Sequence, residues 1–156
     1  MKYKIFLIII FSFLTISCGF KVIDRSELLN FSINTVTTEG EKRINYKLKN
    51  KLTFNTKKQK EKSIKIHLNT SKQKIVKEKN IKNEITKYEI KINVKVFYDE
   101  LNGANNKEFS VSRSGDFNVT SQYSQTLNNE KILIDVLTDK IADEIIDELS
   151  LLLNAV

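Results

Sequence analysis

Residues 84–98, which read EITKYEIKINVKVFY, carry the clearest alternating pattern in the chain. Apolar or aromatic side chains occupy every second position from residue 88 onward, and charged or amide side chains occupy most positions between them. A strand repeats every two residues, so this pattern predicts a strand with one buried face and one wet face. The predicted buried face carries Tyr88, Ile90, Ile92, Val94, Val96 and Tyr98, and the wet face carries Glu89, Lys91, Asn93 and Lys95.

A returning strand is predicted over residues 109–123, where apolar side chains occupy odd positions. Between the two strands, residues 99–106 place Gly103 among asparagines, a composition typical of a hairpin loop. Arg113 and Gly115 interrupt the apolar side of the returning strand, which suggests a bulge or a twist at that point.

Two shorter strands are predicted upstream, over residues 31–36 and 63–70, because apolar and polar side chains alternate there. A charged connector over residues 56–62 precedes the second of them. The longest strand and its returning neighbour therefore belong to a sheet of four strands.

A first helix is predicted over residues 41–52, where Ile44, Leu48 and Leu52 recur every four positions. Thr37 or Thr38 could cap its start, and Glu41 stands three residues after Thr38, as in a capping box. The other faces of this helix are rich in lysine and arginine.

A final helix is predicted to begin at Asn128 or Asn129 and to extend roughly 35 Å. Its apolar stripe consists of Leu133, Leu137, Ile141, Ile145, Leu149 and Leu152. Asp135, Asp139, Asp143 and Asp147 recur every four residues, which predicts a solvated side away from the sheet.

The predicted order is strand, helix, strand, strand, strand, helix. Helices of this kind bury their stripes by packing against a sheet. The sequence therefore predicts a single small α+β domain, with two helices packed on one face of a four-stranded sheet.

The N-terminus indicates export. Lys2 and Lys4 precede an apolar stretch from Ile5 to Ile16, which is typical of a secretory signal peptide over residues 1–17. The stretch is shorter than the roughly 20 apolar residues that a membrane-spanning helix needs. Of the 156 residues, residues 18–156 would form the mature domain.

Residues 14–18, Leu-Thr-Ile-Ser-Cys, resemble a bacterial lipobox, with Thr15 where an aliphatic residue is usual. The resemblance implies that Cys18 is lipidated, carries fatty acids such as palmitate, and becomes the first mature residue. Gly19, which is not aspartate, implies sorting to the outer membrane. The alternative is an ordinary signal peptide followed by an incidental cysteine.

Catalytic and metal chemistry finds little support in the composition. The single cysteine excludes an intramolecular disulfide, and the single histidine argues against a catalytic triad or a histidine-rich metal site. The motifs HExxH and GxSxG and a glycine-rich phosphate loop are absent. His67 is predicted to be a solvated surface residue. We therefore expect no enzymatic activity, no metal and no cofactor.

Charge is distributed asymmetrically along the chain. Residues 41–95 carry eighteen Lys and Arg against five Glu, a balance of +13, whereas residues 96–156 carry four basic and eleven acidic residues, a balance of −7. Such asymmetry favours an anionic partner for the basic half. Since the signal peptide places the domain outside the cytoplasm, phosphorylated lipopolysaccharide is favoured over nucleic acid.

The candidate ligand residues are basic side chains placed between two predicted strands, on the wet side of the next strand, or at an otherwise apolar strand position. They are Lys72, Lys74, Lys77, Lys91, Lys95 and Arg113. Two alternatives stay open, namely that the lysines merely fill wet positions in a lysine-rich chain and that Arg113 forms an ion pair with an acidic side chain.

The mature chain resembles the LptE family of lipopolysaccharide-assembly lipoproteins. The resemblance rests on Cys18-Gly19-Phe20 after the lipobox, on Tyr46-Lys47-Leu48 in a small helix, and on the paired long strands followed by a C-terminal helix. It implies a lipid-anchored domain on the periplasmic side of the outer membrane or inside an LptD-type β-barrel. It also implies that the protein assists barrel assembly and contacts lipopolysaccharide through basic residues. The alternative is an unrelated lipid-anchored domain that binds peptidoglycan or another anionic ligand.

Overall fold

The computed structural model describes residues 29–55, 62–100 and 107–154. Its elements are β1 (Phe31–Gly40), α1 (Lys42–Asn55), β2 (Lys62–Lys79), β3 (Ile85–Glu100), β4 (Lys107–Asn118) and α2 (Tyr123–Asn154). The predicted α+β class, the order of elements and the single small domain are confirmed. The signal peptide, Cys18 and most of the predicted hairpin loop lie outside the described residues.

The four strands form one sheet in the order β1-β2-β3-β4. β1 and β2 are parallel, whereas the pairs β2–β3 and β3–β4 are antiparallel. The parallel pair follows from the chain path, because α1 carries the chain back along the sheet between β1 and β2. In the described ranges, no helix has an apolar stretch long enough to cross a membrane.

The core lies between the sheet and the two helices. Ile90, Ile92, Val94 and Val96 of β3 are fully buried, as the alternation predicts. They share one apolar cluster with the stripes of both helices. The prediction that both helices pack on the same sheet face is therefore confirmed.

β2 is much longer than predicted. The sequence pattern ends the strand at Thr70, but the strand continues to Lys79 and stays paired with β3 over most of that length. The apolar alternation stops at Thr70 because the outer part of the strand is exposed to solvent and has no core to fill. The pairing with β3, rather than side-chain burial, keeps this part extended.

The junction between β4 and α2 also differs from the prediction. β4 ends at Asn118 instead of residue 123, and α2 begins at Tyr123 instead of Asn128 or Asn129. Thr126 explains the early start, since its Oγ1 accepts a hydrogen bond from the Thr120 backbone N–H at 2.9 Å. The helix has 32 residues, about 48 Å at 1.5 Å per residue.

Glu41, rather than Thr37 or Thr38, occupies the N-cap position of α1. The Glu41 carbonyl accepts the first helical hydrogen bond, from Asn45 N–H at 2.9 Å. Gly40 has a φ of +94°, and a Cβ there would lie 2.0 Å from the Thr70 carbonyl oxygen. A glycine is therefore required where the chain turns from β1 into α1.

Gly115 does not mark a bulge, because the register between β3 and β4 runs without a shift. A Cβ at Gly115 would lie 2.9 Å from Cδ1 of Leu133, so the missing side chain makes room for α2. The irregularities lie in β1, between Ile33 and Thr35, and in β2, near its outer end.

The buried side of α2 is wider than the predicted stripe. Ile134 and Ile146 are buried beside it, and Leu153 is buried whereas the predicted Leu152 is 39% exposed. Because α2 contacts both the sheet and α1, more than one row of its side chains is covered.

Candidate functional site

One face of the sheet carries both helices, and no element among the described residues covers the other, which we call the open face. Register places polar side chains side by side across β2, β3 and β4 on the open face. The rows are Asn69–Lys95–Ser110, Ser71–Asn93–Ser112 and Gln73–Lys91–Ser114. Hydroxyl, amide and ammonium groups thus form a continuous hydrogen-bonding surface.

Lys91 and Lys95 stand on the central strand of the open face. Both are exposed, and neither forms an ion pair with a residue that the structure describes. An ammonium group in this position attracts phosphate as a point charge. These two predicted ligand residues are therefore available to an anion.

Lys77 also reaches the open face, but its charge is already balanced. Its Nζ lies 3.0 Å from the Asp116 carboxylate and 3.7 Å from that of Glu89. The hydrogen bond to Asp116, together with the nearby negative charges, raises the pKa of Lys77 above its ordinary value. Lys77 stays charged but already has partners.

Lys72 and Lys74 lie on the opposite side of the sheet, because they pair in register with the core residues Ile92 and Ile90. The Nζ of Lys74 donates to Glu130 of α2 at 2.6 Å and lies 4.4 Å from the centroid of the Tyr88 ring. The predicted single face of lysines is therefore not formed. The sheet separates Lys72 and Lys74 from Lys91 and Lys95.

Arg113 lies on the helix-covered side, opposite Ile92 in register. Its guanidinium group contacts the Glu144 carboxylate of α2 at 2.7 Å. This ion pair is the alternative that the sequence left open, and it explains how a charge fits an otherwise apolar strand side.

A ladder of ion pairs, which the spacing of the aspartates alone did not predict, joins the two helices. Asp139 of α2 accepts from Lys47 of α1 at 2.9 Å, with further pairs on either side. The ladder consists of Arg43–Asp135, Lys47–Asp135, Lys47–Asp139, Lys51–Asp139 and Lys51–Asp143. These three aspartates thus pair with basic side chains of α1, although each side chain stays 37–45% exposed. The predicted solvated side of the helix is therefore also its contact with α1. The matching four-residue spacing of Arg43, Lys47 and Lys51 was the available signal.

His67 is half-exposed on the open face, at the edge of a shallow concavity of about 520 Å³. Its Nδ1 lies 2.9 Å from the Thr37 hydroxyl, and its Nε2 lies 3.8 Å from the Glu39 carboxylate. The Phe97 ring packs at a centroid distance of 5.9 Å. These contacts fix the imidazole on the sheet surface, where the alternation predicts it.

The described parts of the chain contain no cluster of side chains typical of a metal site. No group of three or more His, Cys, Asp or Glu side chains converges there in a way that could hold a metal ion. Asp135, Asp139 and Asp143 of α2 are instead paired with lysine and arginine side chains of α1.

The fold is similar to three solved structures of proteins described as lipoproteins. Rare lipoprotein B from Shewanella oneidensis matches with a TM-score of 0.58 and 14% identity, over 74% of this chain and 93% of that chain. A candidate lipoprotein from Caulobacter crescentus CB15 matches with a TM-score of 0.58 and 14% identity, over 84% and 95% of the two chains.

The uncharacterized lipoprotein B from Nitrosomonas europaea matches with a TM-score of 0.58 and 18% identity, over 88% of this chain and 94% of that chain. No family model and no curated protein matches the sequence. At these identities the comparisons establish a shared fold, so this chain has the α+β architecture of these lipoproteins.

Proposed function

We propose that this chain is an outer-membrane lipoprotein that binds an LptD-type β-barrel and assists barrel assembly and lipopolysaccharide insertion. One observation carries the proposal, namely that a lipobox ending at Cys18 precedes a domain with the fold of proteins described as lipoproteins. The fold covers nearly all of those proteins, and a lipid on Cys18 would supply the membrane attachment.

The open face supports a role in complex formation. Its rows of serine, asparagine, glutamine and lysine side chains can hydrogen-bond to a partner or to bridging water, as polar interfaces do. The helix-covered face, by contrast, is occupied by the core. A barrel partner that contacts the sheet itself would meet it on the open face.

The lysines support contact with lipopolysaccharide phosphates, but to different degrees. Lys91 and Lys95 are the strongest candidates, because they are exposed and have no carboxylate partner among the described residues. Lys72 is a second site on the other side of the sheet. Lys74, Lys77 and Arg113 already hold carboxylates, which a phosphate would have to displace.

The proposal predicts a stoichiometric barrel partner in the outer membrane. Pull-down of a C-terminally tagged full chain from detergent-solubilised outer membranes should recover a β-barrel protein in about equal amount. Recovery of peptidoglycan or of no barrel would instead favour an unrelated lipid-anchored binding domain.

Cys18→Ala provides the matched test of the anchor. This change should abolish fatty-acid labelling and leave the precursor uncleaved at this site, because the thiol is the group that receives the lipid. Cys18→Ala protein that is still labelled and processed like wild type would remove the lipoprotein part of the proposal.

A further inference from the structure

The sheet has a step at the end of β1. Pairing between β1 and β2 ends at Gly40 and Thr70, where the chain turns into α1. β2 continues for nine more residues, from Ser71 to Lys79, and among the described residues only β3 pairs with this stretch. The edge of this stretch that faces away from β3 is therefore not paired with any strand that the structure describes.

The direction of the backbone groups along this edge follows from the paired part of β2. The carbonyl oxygens of Lys62 and Ile66 accept hydrogen bonds from side chains of β1, and that of Thr70 accepts from the Glu41 N–H. Even-numbered residues of β2 thus direct their N–H and C=O groups away from β3.

The N–H and C=O of one residue point to the same edge of a strand, and successive residues alternate between the two edges. The backbone groups of Lys72, Lys74 and Val76 therefore also point away from β3. The register with β3 stays regular up to Val76 and shifts only after it. Three donors and three acceptors therefore point outward along residues 72–76, enough to pair with one short strand. We call these residues the free edge.

The side chains around the free edge combine positive charge with exposed apolar surface. Ile75 is 44% exposed and Val76 is 43% exposed, one on each side of the sheet. The lysines are Lys72, Lys74, Lys77 and Lys79. Lys74 and Lys77 are paired with carboxylates of this chain, so Lys72 and Lys79 carry the charge that an acidic segment would meet. Glu78 is the single acidic residue of the stretch from 71 to 79.

We propose that the free edge of β2 accepts an extended, acidic segment of a partner protein as an additional strand. The added strand would continue the line of β1 beyond Gly40, with main-chain hydrogen bonds to Lys72, Lys74 and Val76. Acidic side chains of the segment would meet the lysines, and apolar ones would cover Ile75 and Val76.

Charge selects this occupant over a second copy of the chain. Two copies paired through the free edge would place lysines against lysines, and like charges directly opposite on paired strands are destabilising. Lysines along an edge also block indiscriminate pairing. The same positive charge that repels another copy attracts an acidic strand, so the free edge discriminates between these two partners.

The test uses the full chain in detergent and two defined peptides, TEVEVET and its basic counterpart TKVKVKT. The acidic peptide at about 1 mM should slow amide hydrogen exchange at residues 72, 74 and 76. The basic peptide should leave exchange there unchanged. This inference stands apart from the proposed barrel partner, because the experiment contains no barrel.

Val76→Pro removes one outward N–H without removing a charge or a β3 hydrogen bond, and proline is tolerated at such edge positions. It should weaken binding of the acidic peptide about ten-fold. Val76→Ile, which keeps both the N–H and an apolar side chain, should bind like wild type.

A charge reversal tests the same edge if the proline variant does not fold. Lys72→Glu combined with Lys79→Glu should switch the preference from the acidic to the basic peptide. The inference is overturned if wild type shows no protection with the acidic peptide, or if the double reversal leaves the preference unchanged. Protection that rises with protein concentration in the absence of peptide would also overturn it, because a second copy would then cover the edge.

Discussion

The two faces of β3 show how one strand serves two purposes. On the covered face Ile90, Ile92 and Val94 are fully buried beneath the helices. On the open face the intervening Lys91 and Lys95 are exposed and have no ion-pair partner among the described residues. The backbone is the same, so the difference comes entirely from what packs above each face.

The comparison separates stability from recognition. Apolar side chains contribute about 25 cal/mol for each Å² removed from water, so the covered face holds the domain together. Substitutions on a wet sheet surface usually change stability by less than about 0.5 kcal/mol. The open face is thus available for binding without a large cost in folding.

The largest effect is expected where α2 covers the sheet. Ile145→Ala removes a fully buried side chain and should lower the free energy of unfolding by about 2–5 kcal/mol. Asp143→Ala on the same helix should change it by about 1 kcal/mol or less, because Asp143 pairs with Lys51 near the surface. Thermal and urea unfolding measure both, and equal losses would contradict the assigned orientation of α2.

A smaller but clear loss is expected at the turn from β1 into α1. Gly40→Ala forces a side chain into the left-handed region against the Thr70 carbonyl oxygen. Strain of this kind costs roughly 1–3 kcal/mol. Gly115→Ala is the matched control, because its Cβ would meet side-chain atoms of Leu133 and Leu137, which can move, and no backbone atom. Unfolding midpoints that rank Gly115→Ala as the more damaging change would contradict the role of Gly40.

The ion-pair ladder should contribute less than either. A double-mutant cycle of Lys47→Gln and Asp139→Asn, which lie 2.9 Å apart, should give a coupling of about 0.5 kcal/mol. Because both groups are partly exposed, the coupling should fall as salt is raised. A coupling that does not depend on salt would mean that the pair is shielded from solvent more than its position suggests.

The smallest effect on stability is expected on the open face itself. Lys91→Ser combined with Lys95→Ser should leave the unfolding midpoint nearly unchanged, yet it should reduce binding to lipopolysaccharide vesicles at low salt. Lys42→Ser combined with Lys49→Ser, at two exposed lysines of α1, is the control for a simple loss of two charges. If the double variant binds like wild type, the open-face lysines only keep the surface hydrated.

The spacing of apolar residues along the sequence predicted most of the fold. The alternation around Ile90 to Val96 and the four-residue spacing of Ile44, Leu48 and Leu52 identified the buried faces correctly. Both patterns reflect burial, because side chains that face the core are apolar and recur with the period of the strand or helix that carries them. The same reasoning failed at the outer half of β2, where no core imposes a pattern.

The candidate site was less accessible to such reasoning. The lysines at positions 72 and 74 and those at 91 and 95 share a charge, but their opposite positions on the sheet follow from the register between β2 and β3. Arg113 and the aspartates of α2 likewise received their partners from elements distant in sequence. Ion pairing depends on distance in space, which a periodic pattern does not encode.

The sequence by itself determined the α+β class, the order of the elements, the two faces of β3 and the expectation of a lipid anchor at Cys18. These properties depend on the types of residues at short spacings, so they can be inferred without knowing any long-range contact. Only the tertiary structure decided the sheet order, the separation of the lysines, the ladder between the helices and the free edge beyond Gly40. Each of these depends on which strand or helix lies beside another, and that is set by packing and hydrogen bonding across the whole domain.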